Sequence, residues 1–368
     1  MIKGSSFILI SFLLAVSCSK KSDPTPTATT LYFPPSGSAW ETVTPASLGW
    51  NESAKPDLIN YLNTTNTRAL IILKDGKIAL EEYNGVQLTN SNAFTGSNNW
   101  YWASAGKTLT SALVGIANAN GKINFDSKTS DYIGTGWTSL TPTQESKITI
   151  RHQLTMTTGL DDYAPPSTGD SDCTNASCLT YKADAGTRWA YDNAPYTLLD
   201  SVIALGTGQT INTYINAQLL SKVGMDGSYH RSGYNNVFYS TPRSMARFGL
   251  LLLNKGVWNG TMIIPQSYFD LMTTGSQNYN LSYGYLTWLN GKNSFMVPQS
   301  QTVYSGELTT NAPADMFAAM GKNGQIINVV PSKNLVVIRM GDDTQDTGLV
   351  SFKFQNDLWG KLNAIITK

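Results

Sequence analysis

A serine and a lysine stand three residues apart at the predicted start of a helix. Ser104 and Lys107 are followed by apolar residues at helical spacing, and this pattern stops near Asn120 and Gly121. Because residues i and i+3 share one face of a helix, the hydroxyl of Ser104 and the amine of Lys107 can meet. The first turn also offers backbone N–H groups that have no partner within the helix. This geometry suits a serine nucleophile that a lysine activates, in a reaction that develops an oxyanion.

Two further triplets could take part in such chemistry. Residues 191–193 read Tyr-Asp-Asn and precede a predicted helix, whereas residues 322–324 read Lys-Asn-Gly and open a strand-like run that ends at residue 330. Each triplet is nonspecific alone, and the Ser104–Lys107 spacing alone is more typical of a helix cap beside an exposed lysine. Their order along the chain, and their contexts of helix start, loop and strand start, make the set specific.

This set resembles the motifs of the serine β-lactamase and penicillin-binding-protein superfamily, in particular the branch of class C β-lactamases, family VIII esterases, D-aminopeptidases and nylon-oligomer hydrolases. The resemblance extends from about Thr64 to the C-terminus, and segments 148–160 and 239–249 also resemble helices of that family. One departure concerns the middle of the third motif, which is usually Thr or Ser in the family and is Asn323 in this chain.

A serine hydroxyl is a poor nucleophile until a neighbouring base takes its proton. Lys107 can act as that base only when it is deprotonated, so its pKa must be lowered by burial and by a second cation. Lys322 is the candidate for this cation, and it would also favour the phenolate of Tyr191. The resemblance allows either Lys107 or Tyr191 as the working base, and the choice stays open at this point.

The resemblance also implies which residues surround the substrate. Tyr163 is the least specific of them, because an ordinary packed tyrosine would fit its loop equally well. The resemblance implies that Asn193 hydrogen-bonds both Lys107 and the substrate amide, and that the backbone N–H groups of Ser104 and Gln325 form the oxyanion hole. Gly324 would let the substrate lie flat against the strand, with Asn323 beside it and Tyr163 at the rim of the site.

The function expected from these residues is hydrolysis of a small ester or amide through an acyl-enzyme, as in an esterase, a D-amino-acid peptidase or a short linear amide hydrolase. Because of Asn323, a β-lactamase or penicillin-binding carboxypeptidase is only the second hypothesis for the function. A third hypothesis is a catalytically silent module that binds cell-wall peptide. Only two histidines occur, His152 and His230, and neither a G-x-S-x-G elbow nor a nucleotide-binding glycine motif is found. We therefore expect no metal and no cofactor.

The N-terminus resembles a bacterial lipoprotein signal. An apolar run over residues 7–16 is too short to span a bilayer, and small residues lead directly to Cys18. We therefore expect a signal peptide over residues 1–18, a lipidated Cys18, and a flexible tether over residues 19–40 that holds the protein in the cell envelope, on the periplasmic side or at the cell surface. Ordinary secretion with cleavage nearby is the alternative.

Charge and cysteine content restrict the remaining partners. The chain has 26 basic against 25 acidic side chains, so nothing predicts binding to nucleic acid, and contact with the membrane is expected only through the anchor. Cys173 and Cys178 lie in a polar loop, and in an oxidising envelope they are expected to form a local disulfide.

The pattern of the whole chain predicts an α+β fold. Two strand-like segments meet at Asp75-Gly76, strands return over residues 325–330 and 335–340, and an amphipathic helix ends the chain. Strands from both chain ends would then share one antiparallel sheet flanked by helices. We predict a sheet domain from residues 41–100 and 301–368, with a mainly helical domain over residues 101–300 inserted into it.

Overall fold

Strands from both ends of the chain build one antiparallel sheet. The computed structural model describes Met1 and residues 31–37, 39–165 and 168–367, and the part from Leu31 onward is one compact unit. The strands are β1 Thr67–Lys74, β2 Lys77–Tyr83, β3 Trp100–Tyr101, β4 Ser228–Ser232, β5 Asn235–Ser240, β6 Val257–Trp258, β7 Thr261–Met262, β8 Trp288–Leu289, β9 Ser294–Phe295, β10 Tyr304–Ser305, β11 Phe317–Gly321, β12 Gln325–Val330 and β13 Leu335–Gly341.

The large sheet has six strands in the order β2-β1-β13-β12-β11-β8, and helices lie around it. Short 3₁₀ turns connect several of these elements, and within the described residues no helix has both the length and the apolar composition needed to cross a membrane. The helices are α1 Lys55–Thr64, α2 Gly106–Ala119, α3 Ser130–Ile133, α4 Pro142–Glu145, α5 Ile150–Leu154, α6 Asn193–Thr197, α7 Leu199–Thr207, α8 Ile211–Ile215, α9 Ser221–Val223, α10 Pro242–Leu253, α11 Gln266–Met272 and α12 Phe352–Ile365.

The predicted hairpin at the start of the sheet is confirmed. Asp75 and Gly76 both have positive φ, at 52° and 85°, as a two-residue turn between twisted strands requires. A Cβ atom at position 76 would collide with the backbone carbonyl of Tyr32, so this turn needs glycine for space as well as for conformation.

Both faces of the large sheet are covered. On one face, Gly249 of α10 lies so close to Ile327 and Val336 that a Cβ atom would meet both side chains. On the other face, the indole of Trp359 in α12 donates a hydrogen bond of 2.9 Å to Asn328. Every residue of β12 is therefore buried, which explains why this strand reads as an apolar run rather than as an alternating pattern.

The predicted tether is too long at its C-terminal end. Within residues 31–37, Tyr32 donates a backbone hydrogen bond of 3.0 Å to Asp75, and the guanidinium of Arg247 donates to the carbonyls of Pro34 and Pro35. The physical reason is apolar content, because Leu31 and Phe33 of this segment pack against the core, as does Trp40 just after it. Residues 2–30, with Cys18 and the predicted signal peptide, lie outside the described residues.

Five strands near the site, all within the described residues, were not predicted from the sequence. β3, which begins at Trp100, forms a small separate sheet with β4 and β5 from the predicted helical domain, residues 101–300. β8 from the same region extends the large sheet. β11 was also missed, because its sequence, Phe-Ala-Ala-Met-Gly, has little of the β-branched character that marks a strand. β11 matters for the site, since it ends beside Ser104.

Candidate active site

The nucleophile candidate lies in a strained turn. Ser104 occupies a short 3₁₀ turn, Ala103–Ala105, directly before α2. Ala103 has a φ of 46°, a left-handed conformation that costs a residue with a Cβ atom about 1–2 kcal/mol. The turn is held from behind, because the backbone N–H of Trp102 donates to Phe238 at 2.8 Å and its indole donates to Ser240 at 2.8 Å. The surrounding structure therefore stabilises the conformation that presents Ser104 to the pocket.

The lysine of the first motif lies against the serine. Lys107 Nζ is 3.0 Å from Ser104 Oγ and donates a 2.7 Å hydrogen bond to Asn193 Oδ1. The side chain is almost entirely enclosed, and burial lowers the pKa of Lys107 to about 7, against a smaller opposing effect of Asp172 and Asp192. A lysine in this state has a large neutral fraction at neutral pH, as a general base requires.

Burial alone accounts for this lowered pKa, and the predicted effect of Lys322 is not found. Lys322 lines the same pocket but is exposed to solvent, and it is not among the groups that shift the pKa of Lys107 or of Tyr191. The physical reason is screening, because water around an exposed ammonium weakens its field at a buried group.

Tyr191 lies on the other side of the lysine. Its ring stacks on Trp288 with 5.7 Å between centroids, and Lys107 Nζ is 4.9 Å from its ring centre. Burial raises the pKa of the Tyr191 phenol, while Ser104 acts in the opposite direction from close range. The hydroxyl is buried, and within the described part of the chain it completes no hydrogen bond of regular geometry. The phenol is therefore protonated and free to donate.

Asn193 begins α6, and the cap of that helix fixes its position. The carboxylate of Asp192 accepts a hydrogen bond of 3.2 Å from the N–H of Ala194, as an N-cap residue does. The side-chain amide of Asn193 reaches Lys107 with its oxygen and donates from its nitrogen to Asp172 at 2.8 Å. Asp172 was missed from the sequence, where only its place beside Cys173 sets it apart.

These groups line a cavity of about 210 Å³. Five predicted residues meet there together with seven others, which come from the turn of Ser104, helix α6, the small sheet and loops. A larger cavity of about 700 Å³ around Arg243 contains none of the motif residues. The predicted residues are Ser104, Lys107, Tyr191, Asn193 and Lys322, and the additional ones are Ala103, Asp172, Tyr196, Asn235, Asn236, Val237 and Leu349.

The third motif is a turn that joins β11 to β12. Asn323 has a left-handed φ of 60°, and its amide donates to the hydroxyl of Tyr101 at 2.8 Å. Gly324 has a φ of 68°, and a Cβ atom there would lie 2.7 Å from Thr344 and 2.9 Å from Phe354. These bonds and contacts do not support the predicted substrate contacts of the two residues, which stay predictions. Asn323 and Gly324 serve the turn and its packing, and neither lines the pocket.

The structure does not favour Gln325 as the second oxyanion donor. Gln325 is fully buried, pairs with Gly321 across the hairpin, and exchanges side-chain hydrogen bonds with Gly341. The backbone that lies against the nucleophile belongs to Gly321, where a Cβ atom would stand 2.8 Å from the backbone nitrogen of Ser104. The prediction considered only the strand that follows the third motif, because β11 was not recognised from the sequence.

Two loop predictions have opposite outcomes. The disulfide between Cys173 and Cys178 is confirmed, with Cα atoms 6.0 Å apart. Tyr163 does not line the pocket. Its side chain is 51% exposed, with the ammonium of Lys182 5.7 Å from its ring centre, so it lies on the surface in this structure.

Comparison with known proteins agrees with this arrangement. The family model described as Beta-lactamase matches residues 64–348, which is most of the chain. The protein therefore belongs to the beta-lactamase family, within the superfamily of serine β-lactamases and penicillin-binding proteins. The resemblance and the fold class predicted from the sequence are both confirmed.

Individual relatives are distant. An uncharacterized protein of Alkalihalophilus pseudofirmus is 25% identical over 297 residues, which cover 74% of this chain and 82% of that protein. A structure from Bacillus anthracis, provisionally described as a 6-aminohexanoate-dimer hydrolase, has a TM-score of 0.64 at 17% identity and covers 90% of this chain and 89% of its own. A penicillin-binding protein homologue from Caulobacter crescentus has a TM-score of 0.65 at 12% identity, with 89% and 100% covered. These two similarities show the fold alone.

Proposed function

We propose that this protein is a serine hydrolase that forms an acyl-enzyme on Ser104 with small ester or linear amide substrates. The observation that carries the proposal is the 3.0 Å contact of Ser104 Oγ with a buried Lys107, whose pKa is lowered to about 7. Burial of a lysine destabilises a folded protein, and a role as general base for the adjacent serine accounts for its presence here.

In the acylation step, neutral Lys107 takes the proton of Ser104 as Oγ bonds to the substrate carbonyl carbon. The carbonyl oxygen becomes an oxyanion, which the backbone N–H of Ser104 stabilises. The end of β11 lies against that nitrogen, so the N–H of Lys322, which follows Gly321, is the best candidate for the second donor. Collapse of the intermediate breaks the bond to the leaving group, and a water molecule later releases the acyl group by the same route.

The leaving group needs a proton, and Tyr191 is the group best placed to give it. Its phenol is protonated because burial raises its pKa, and its hydroxyl completes no regular hydrogen bond in the described residues. The lysinium formed from Lys107, 4.9 Å from the same ring, can then return its proton to the phenolate. We therefore assign Lys107 as the base and Tyr191 as the acid of acylation.

Substitution of the nucleophile tests the proposal directly. Ser104→Ala should abolish ester turnover and covalent labelling by a fluorophosphonate probe, read as the mass of the intact protein. Ser111→Ala is the matched control, since Ser111 is a buried serine of the neighbouring helix α2 that does not line the pocket, and this variant should keep its label. Labelling that persists in Ser104→Ala would refute the assignment, and a wild-type protein that neither labels nor hydrolyses any ester would favour the silent binding module.

The assignment of the base predicts the pH dependence. kcat/KM should rise with pH and level off above about 7, because Lys107 is active only after it loses its proton. Tyr191→Phe should lower kcat about a hundredfold and leave this acidic limb in place. The measurement is a pH profile of ester hydrolysis for both proteins. Loss of the limb in Tyr191→Phe would instead identify the phenol as the base.

The third motif and the size of the pocket favour small substrates that are not β-lactams. In β-lactam-directed members of the family, a hydroxyl in the middle of this motif helps to hold the substrate carboxylate. Here that position is Asn323, whose amide is engaged with Tyr101 outside the pocket. A volume of about 210 Å³ also lies below the usual range for drug-sized ligands.

We therefore expect kcat/KM for short-chain p-nitrophenyl esters to exceed that for nitrocefin at least a hundredfold, a difference of about 2.7 kcal/mol in transition-state stabilisation. Slow acylation by penicillin, without turnover, is compatible with this expectation. Nitrocefin turnover equal to that of the best ester would make the protein a β-lactamase.

The site of action follows from the N-terminal sequence. We propose that Cys18 carries a lipid anchor and that the folded part, which begins near Leu31, is held at the cell envelope by the segment between them. Cys18→Ser should abolish incorporation of radiolabelled palmitate in cells, whereas Cys173→Ser should not. Undiminished labelling of Cys18→Ser would place the lipid elsewhere.

A further inference from the structure

A continuous series of hydrogen bonds leads from a loop aspartate to the nucleophile. Asp172 accepts from Asn235 Nδ2 at 2.5 Å through one oxygen and from Asn193 Nδ2 at 2.8 Å through the other. Asn193 Oδ1 in turn accepts from Lys107 Nζ at 2.7 Å, and Lys107 contacts Ser104 at 3.0 Å. Each side chain therefore fixes the next.

The carboxylate decides which way the amide of Asn193 points. An ionised carboxylate can only accept hydrogen bonds, so the Nδ2 group of Asn193 must face Asp172 and its Oδ1 must face the lysine. With the amide reversed, two donors would face each other at Lys107 and two acceptors at Asp172. The orientation that holds the amine of Lys107 beside Ser104 is thus set by a residue from another part of the chain.

A disulfide adjoins this aspartate. Cys173 follows Asp172 directly and is bonded to Cys178, with both cysteines buried in a loop whose regular structure is a single 3₁₀ turn, Ala176–Cys178. Asp172 itself is only partly buried, and its backbone N–H donates to the side chain of Asp170 at 2.9 Å. A short covalent ring restricts the loop locally, so it limits where the carboxylate can go.

We propose that Asp172 is a positioning residue of the hydrolytic reaction, which orients Asn193 so that Lys107 is held against Ser104, and that the Cys173–Cys178 disulfide keeps Asp172 in place. This inference rests on the proposed serine hydrolase function and adds a residue that acts through Asn193 rather than on the substrate. It also makes full activity dependent on an oxidised cysteine pair.

The negative charge of Asp172 raises the pKa of Lys107. Of the two carboxyl groups that oppose the effect of burial on the pKa of Lys107, Asp172 has the larger effect and Asp192 the smaller, and Lys322 is exposed across the pocket. Asp172 is therefore the principal anion beside the lysine, and it partly opposes the effect of burial on the pKa of Lys107. The charged and titratable groups that face Lys107 from the elements around it are Asp172, Tyr191, Asp192, Tyr196 and Lys322.

Substitution of Asp172 separates a positioning role from a merely structural one. Asp172→Asn removes the negative charge and replaces one carboxylate oxygen by an NH2 group. The side chain then keeps only one oxygen that can accept hydrogen bonds from Asn193 and Asn235. We expect kcat/KM above pH 8 to fall at least tenfold and the acidic limb to move to lower pH, because the ammonium of Lys107 loses a stabilising charge. Asp172→Glu keeps the negative charge but has a longer side chain. It should therefore lower kcat/KM and leave the acidic limb of the pH profile near its wild-type position.

Two further variants complete the experiment. Asp131→Asn removes an equal charge from an exposed position on α3 and should leave both rate and limb unchanged. Cys173→Ser/Cys178→Ser should lower kcat/KM about three- to tenfold and shift the limb in the same direction as Asp172→Asn. Wild-type rate and limb in Asp172→Asn would overturn the role of Asp172, and the same result in the double cysteine variant would overturn the role of the disulfide.

Ser104→Ala, measured in the same assays, keeps this inference separate from the proposed function. An active Ser104→Ala would overturn both the hydrolase mechanism and the positioning role. An inactive Ser104→Ala beside an unaffected Asp172→Asn would overturn the positioning role alone. Circular dichroism of each variant identifies any loss of fold, in which case Asp172→Glu, the smaller change, decides the question through its pH profile.

Discussion

The burial of one lysine is the constraint on which the rest of the site depends. Removing the Lys107 ammonium from water lowers its pKa from 10.5 to about 7, so keeping it charged there costs on the order of a few kcal/mol. A fold can tolerate such a group only where the surroundings are rigid and well packed. α2 provides this, because it is buried from its first residue to Ala117. The helix that bears the site is also a central element of the core.

The groups around Lys107 come from segments that are remote in sequence, and this explains which of them the sequence predicts. Ser104 and Lys107 share a helical face, so their contact follows from local spacing alone. The hairpin at Asp75-Gly76 and strand β12 follow equally from local turn chemistry and apolar content. In each case the information lies within a few residues of the feature.

The missed features depend on contacts across the chain. Asp172 bonds to Asn193, 21 positions further along the chain, and to Asn235, 63 positions further along, and no periodic pattern encodes the path of the chain between them. β11 lacks β-branched residues and is a strand because it pairs between β12 and β8. Once β11 is in place, the backbone beside Ser104 belongs to Gly321, which is why a motif-based choice of Gln325 put the oxyanion donor on the neighbouring strand.

The unusual asparagine of the third motif has a backbone explanation. The turn between β11 and β12 requires a left-handed conformation at position 323, which asparagine adopts far more readily than the β-branched threonine common in the family. Its amide then bonds to Tyr101, and its carbonyl accepts from the buried Arg339. The asparagine at this position therefore suits the conformation of the turn and the hydrogen bonds that hold it. Since the turn leaves Lys322 in the pocket and Gly321 against Ser104, the third motif contributes its backbone and one exposed cation to the site.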